Sequence, residues 1–146
     1  MAALDDGGPA RFWQIEHTAD VAIAAAAPDL ASLFDRCAAG MFSLIAEGDP
    51  VAAREEVRVE AAGEDEAELL VDFLRELLWL HAESGFLYAE ARFEELGPRR
   101  LVALVRGERA DPARHAVVRE IKAVTYHGLE VARGDEGWTA RVVFDV

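Results

Sequence analysis

Apolar positions along this chain recur with two periods, and the points where the period changes divide it into strands and helices. Arg11-Phe12-Trp13-Gln14-Ile15-Glu16 is rich in aromatic and branched side chains and predicts a first strand. Val21 to Ala26 alternates weakly and predicts a second. The alanines at 24–27 favour helix on propensity alone. Pro28 follows them, however, and the residue before a proline avoids the α region, so a strand ending at Ala27 is expected. Asp29 can then cap a helix running to about Ala46. In it Leu30, Leu33, Phe34, Cys37, Met41, Leu44 and Ile45 make one apolar stripe. Gly48-Asp49-Pro50 closes that element.

Strict alternation over Glu56-Val57-Arg58-Val59-Glu60-Ala61 predicts a half-buried strand. Asp65 caps a second helix through about Glu83, with Glu66 and Glu68 favoured by the positive end of its dipole. Leu70, Val71, Phe73, Leu74, Leu77, Leu78 and Leu80 leave that helix little polar surface, which places it in the interior between two layers. Asp72 interrupts the apolar run, either on a narrow wet face or held by a partner. Residues 86–94 and 100–107 flank Gly97-Pro98 and suit a hairpin-like connection. Arg109 to Pro112 reads as a loop, and residues 120–127 fit either a helical turn or a strand. A final hairpin runs through residues 129–133 and 139–144 around Gly134-Asp135-Glu136-Gly137. With no internal repeat or linker, the pattern predicts one α+β domain over residues 11–146, after a flexible tail at 1–10. Its sheet would be mixed and mostly antiparallel, with two main helices.

A length of 146 residues and 52% hydrophobic content fit one domain with a sizeable core. No apolar run is long enough to span a bilayer, and the acidic, Gly-rich start does not resemble a secretory signal. The single Cys37 excludes an internal disulfide and a thiolate metal cluster, and it reads as a small core residue. Cytoplasmic residence is the expectation. Net charge is −13, and residues 55–95 carry thirteen acids against three bases. Such a surface repels phosphate backbones, so tight nucleic-acid binding is not expected. It favours solubility and basic partners.

Candidate chemistry gathers at the two ends. The chain runs apolar into Val142-Val143-Phe144-Asp145-Val146, so a strand should hold Asp145 beside the α-carboxylate of Val146. Asp20, beside the second strand, can complete an oxygen site suited to Ca²⁺, Mg²⁺ or Mn²⁺. The plainer alternative is a solvated terminal aspartate. Among the histidines, His81 suits a helix C-terminus. His17 serves either the turn or the orientation of Asp20, while His115 and His127 fit core positions. Lys122, in an otherwise apolar run, either snorkels to solvent or grips a phosphate or carboxylate. Phosphate loops, metal helices of the His-Glu-x-x-His type and serine elbows are not present in the sequence.

Four stretches, in this order, resemble the archease family. They are Glu16-His17-Thr18-Ala19-Asp20-Val21, residues 69–78, Gly107-Glu108 with Asp111 and His115, and residues 120–127. The closing Val143-Phe144-Asp145-Val146 is similar to that family's C-terminus, and the likeness extends from about Phe12 onward. It implies an accessory protein, not an enzyme: a cofactor of the GTP-dependent RNA-splicing ligase that promotes guanylylation and multiple turnover in tRNA splicing and RNA repair. The resemblance assigns Asp20, Asp145 and Val146 as metal ligands, with calcium the associated ion, and implicates Lys122 in supporting the ligase. His17 and Asp72 are further candidates for that support. The sequence departs from the family at Ala22 and near Ala26-Ala27, where glycines are usual, which affects loop geometry and not the ligands. Two other functions stand beside this one: a general chaperone or interaction module, and a metal-dependent phosphoester hydrolase.

Overall fold

The computed structural model describes residues 20–146. The tail at 1–10, the strand expected at 11–16 and His17 lie outside the described residues. β1 (Asp20–Ala27) leads into α1 (Leu30–Ile45), followed by β2 (Ala46–Gly48), β3 (Glu55–Ala62) and α2 (Glu66–Ser84). β4 (Phe86–Leu96), β5 (Arg100–Arg109), β6 (His115–Val117), β7 (Ala123–Gly134) and β8 (Gly137–Asp145) complete the chain. One three-stranded sheet has the order β1-β8-β7 and another β3-β5-β4, while β2 and β6 form a small ribbon. Every described strand pair is antiparallel.

Both helices begin as the sequence leads one to expect. The Asp29 carboxylate accepts the Ser32 N–H at 2.8 Å, and that of Asp65 accepts the Glu68 N–H at 2.9 Å. Each cap is worth about 1 kcal/mol. α2 stops at Gly85, which takes φ +74° and returns its N–H to the His81 carbonyl at 2.8 Å. A left-handed residue there is most easily a glycine.

α1 packs against β1, β8 and β4, and α2 packs against β3, β7 and β4. The helix pair thus ties the two larger sheets into one core. Phe34, Phe73 and Phe93 meet at its centre with ring centroids 5.6–6.3 Å apart. Cys37 is fully buried on the α1 stripe, and desolvation pushes its thiol up to about 12, which makes it inert packing.

β2 and β6 were not legible, being three residues each. Residues 120–127 resolve as an irregular approach followed by strand from Ala123. Their register with β8 shifts between Thr125 and Glu130, which leaves residues 126–128 exposed on a bulge. His127 is therefore a surface residue and not the core histidine expected.

Gly107 is where β4 and β5 approach too closely for a side chain. A Cβ there would lie 1.9 Å from the Leu87 carbonyl oxygen and 2.8 Å from the Phe86 ring. Gly107→Ala should therefore destabilise the fold by about 3 kcal/mol. The expected result is a lower urea midpoint with an unchanged slope.

Candidate metal centre

Strand pairing brings the two ends of the described chain together. β1 and β8 pair from Asp20 opposite Asp145 through to Ala27 opposite Trp138. Directly opposed residues in an antiparallel pair have Cα atoms about 4.5–5.5 Å apart and point to the same face. Along β1 the even-numbered residues Asp20, Ala22, Ala24 and Ala26 are exposed, while Val21, Ile23 and Ala25 turn towards the helices. Asp20 and Asp145 therefore share the outer face at one corner of the sheet. Val146 follows at once, half-buried and packed against the core.

The neighbouring strand fixes the third side. Ala123 is the β7 partner of Asp145, and the Lys122 N–H donates to the Asp145 carbonyl at 2.8 Å. Asp145 is thus held from both flanks. The Lys122 side chain lines a separate cavity with Arg75 and Trp79, next to the corner. Asp72 is elsewhere: its carboxylate accepts the Ala62 N–H at 2.9 Å and joins α2 to the end of β3. This bond gives Asp72 a role in the fold. His17 lies outside the described residues.

Like charges directly opposite one another across an antiparallel pair are destabilising. A hard cation with oxygen ligands relieves that repulsion, and carboxylates are the ligands such an ion prefers. Among the described residues no three His, Cys, Asp or Glu side chains converge into a metal cluster. The corner offers the two carboxylate side chains of Asp20 and Asp145, donors that consist only of oxygen.

A second charged cluster surrounds Glu108, an acid buried to 4% exposure. One of its oxygens accepts the Ala52 N–H at 2.6 Å. The other meets Arg114 and, at 3.2 Å, Arg54. The Ala52 bond first, then the Arg114 guanidinium, holds its carboxyl below the usual glutamate value. His115 is buried beside it. Its Nδ1 accepts the Asp111 N–H at 3.0 Å, which leaves the proton on Nε2, 3.7 Å from Glu108 and without a hydrogen-bond partner. Sequence reasoning reached Glu108 only through a resemblance. Its signal was an acid inside the apolar alternation of β5.

Two three-stranded sheets bridged by a helix pair define a small α+β class with solved examples. The solution structure of protein 1598 from Methanobacterium thermoautotrophicum matches with a TM-score of 0.72 and 31% identity, over 90% of this chain and 96% of that one. The crystal structure of a Thermotoga maritima archease, described as a possible chaperone, shares the fold with a TM-score of 0.62 at 22% identity, over 92% and 97%. The family model for the Archease protein family matches residues 12–146. Protein archease of Methanopyrus kandleri is 40% identical over 138 residues, which is 92% of this chain and 99% of that protein. That of Pyrococcus furiosus is 33% identical over 141 residues, covering 93% and 99%. The chain belongs to the archease family. Among the described residues no helix is long and apolar enough to cross a membrane.

The depressed Glu108 carboxyl sets a pH dependence. Its stabilising contribution is complete above the ordinary glutamate value of 4.5 and is lost as pH falls through the lower folded-state value. Urea titrations between pH 6 and pH 3 should show stability falling with acid in the parent protein. Glu108→Gln should be less stable at pH 6 and should show a shallower decline.

Proposed function

We propose that this chain is an accessory protein of a GTP-dependent RNA-splicing ligase, promoting guanylylation of the ligase and its multiple turnover in tRNA splicing and RNA repair. In this reading it catalyses no reaction of its own, and it works in the cytoplasm. The observation that carries the proposal is the register of Asp20 opposite Asp145 at the last residue of β8. Family membership supports it. Asp20, Asp145 and the α-carboxylate of Val146 would hold a divalent cation; an all-oxygen donor set suits Ca²⁺, Mg²⁺ or Mn²⁺, and the resemblance to archeases favours calcium. When bound, the ion neutralises the opposed carboxylates and offers a positive centre to phosphate or carboxylate groups of a partner.

The residues of the chain account for the rest. β1 and β7 hold Asp145 rigidly, so an ion at the corner would have a fixed position relative to the protein surface. Lys122, exposed beside that corner, supplies a point charge able to meet a phosphate. The acidic surface makes direct RNA binding unfavourable, which leaves RNA contacts to the ligase.

A ligase guanylylation assay tests the reading. The parent protein should accelerate formation of the guanylylated ligase, and Asp145→Ala should lose at least about tenfold of that stimulation, the scale on which site disruption acts. Equal stimulation by both would remove the metal-site mechanism. Protection of unrelated unfolded clients by both proteins, with no effect on the ligase, would instead favour a general chaperone. Thermal unfolding supplies an independent measurement. In chelator, Asp145→Asn should melt at or slightly above the parent temperature, because about 0.2–1 kcal/mol of like-charge repulsion is relieved. Added calcium should then raise the parent melting temperature and leave the variant unmoved.

A further inference from the structure

Arg75, Leu78, Trp79 and Ala82 recur at helical spacing along α2 and form one wall of a groove. Residues 117–124 form the other wall. Two cavities of about 590 and 690 Å³ share Leu78, Ala82, Glu120 and Ile121, so they are two lobes of this one groove. Among the described residues the exposed large apolar side chains are Trp79, Val117, Val118 and Tyr126, at 50–59%. Three of them line the groove. The fourth, Tyr126, lies at its mouth under the Arg75 guanidinium, 4.8 Å from the ring centroid. An apolar strip of this kind marks an interaction surface.

The charge of the groove is opposite to that of the molecule. Arg75, Arg119 and Lys122 line it against one acid, Glu120, in a chain whose net charge is −13. None of these three cations forms an ion pair among the described residues, whereas Arg58, Arg100 and Arg106 of the β3-β5-β4 sheet all do. Two of them are nevertheless held in place. Arg75 donates to the Val124 carbonyl at 3.0 and 3.3 Å, and Arg119 donates to the Leu44 carbonyl at 3.2 Å. Cations fixed this way suit carboxylates, which make charge-assisted hydrogen bonds.

The main chain of the groove decides the form of the occupant. The Val118 and Arg119 N–H groups donate to the Ile45 carbonyl at 2.8 and 3.3 Å, and that of Lys122 donates to Asp145. Arg75 covers the Val124 carbonyl. An extended peptide would find no continuous ladder to join, so the occupant must satisfy its own backbone, as an α-helix does. From Arg75 to Gly85 α2 rises about 15 Å, the length of a helix of about ten residues.

We propose that this groove docks an amphipathic α-helix of a partner protein, about three turns long, with an apolar face and carboxylates at its flank. The apolar face covers Trp79, Ile121 and Val117, and the carboxylates meet Arg75, Arg119 and Lys122. Trp, Tyr and Arg, the types that dominate interface energies, stand together at one end as Trp79, Tyr126 and Arg75. RNA fits less well, because Lys122 adjoins the Asp20–Asp145 corner, whose charge repels phosphates. The inference rests on the reading that the partner is the RNA ligase, and it adds where and by what chemistry that partner is gripped. The groove supplies affinity, and the corner supplies activation.

Titrating the ligase guanylylation rate with this protein separates the two. Trp79→Ala should raise the half-maximal concentration at least about thirtyfold and leave the plateau rate unchanged. Arg119→Glu should also raise it, most at low salt, with the same plateau. Asp145→Ala should instead lower the plateau. Amide exchange of the complex identifies the occupant. A ligase segment of about ten residues, apolar at helical spacing and bearing Asp or Glu, should gain protection with the parent protein and not with Trp79→Ala. Unchanged half-maximal concentrations for both groove variants would overturn the proposal and leave the accessory role standing. So would a lowered plateau in Trp79→Ala, or protection of a basic or extended segment. A lower melting temperature for Trp79→Ala at unchanged half-maximal concentration would mean that this chain covers its own groove. Loss of a dimer in that variant would mean that a second copy fills it. Either result overturns the proposal, and no stimulation by the parent protein overturns the accessory role with it.

Discussion

Eight opposed residue pairs between β1 and β8 are the constraint on which the rest of the molecule depends. The register is set by burial. Val142 and Phe144 are completely buried, and Ala140 nearly so, all pointing at the helices. A slip of one residue would turn those side chains to water. Exposing even one such large side chain costs about 1.5–3 kcal/mol, whereas opposed like charges cost about 0.2–1 kcal/mol. Packing therefore outweighs repulsion, and Asp20 is forced to face Asp145. The carboxylate corner is a consequence of the core.

The two strongly acidic places in the molecule are handled differently. Glu108 is buried and fully answered by the protein itself, through the Ala52 N–H and the guanidinium groups of Arg54 and Arg114. Those bonds tie β5 to the chain before β3 and to the loop before β6, so this acid belongs to the framework. Among the described residues no ion pair involves Asp20 or Asp145, which sit at the surface of a rigid strand pair. An acid already neutralised by its own fold has little left to offer a ligand.

The sequence carried more of the helices than of the sheets. Asp29 and Asp65 announced both helix starts because capping is a local bond, and the leucine stripe of α2 announced its interior position. Pro28 decided correctly between helix and strand for the alanine run. β2 and β6 escaped notice because three residues hold no period, and they pair across a separation of nearly seventy positions. The stretch from Glu120 to His127 could not be read, since only Ala123 to Thr125 of it pair with β8 before the register shifts. Of the site, Asp20 and Asp145 were legible individually, but their opposition is a property of register, which no local pattern encodes. Arg75 was missed altogether. An exposed arginine on a helix carries no sign that it will reach the Val124 carbonyl and the Tyr126 ring.

Charge along the sequence also differs from charge in space. The acid-rich stretch at 55–95 covers β3, α2 and β4, yet β5 lies between those strands and brings Arg100 and Arg106 to them. Arg106 meets Glu56 at 3.1 Å and Glu90 at 3.8 Å, and Arg100 meets Glu60 at 3.3 Å and Glu95 at 3.7 Å. Each exposed pair is worth only about 0.2–1 kcal/mol, but together they flatten the field of that face. A partner approaching from beyond a Debye length of roughly 8 Å therefore sees less of the acidic stretch than its sequence suggests. The Asp20 and Asp145 carboxylates, which form no ion pair among the described residues, stand opposite each other at the corner of the other sheet. The overall charge of −13 is therefore a poor guide to the field at any one face of the molecule.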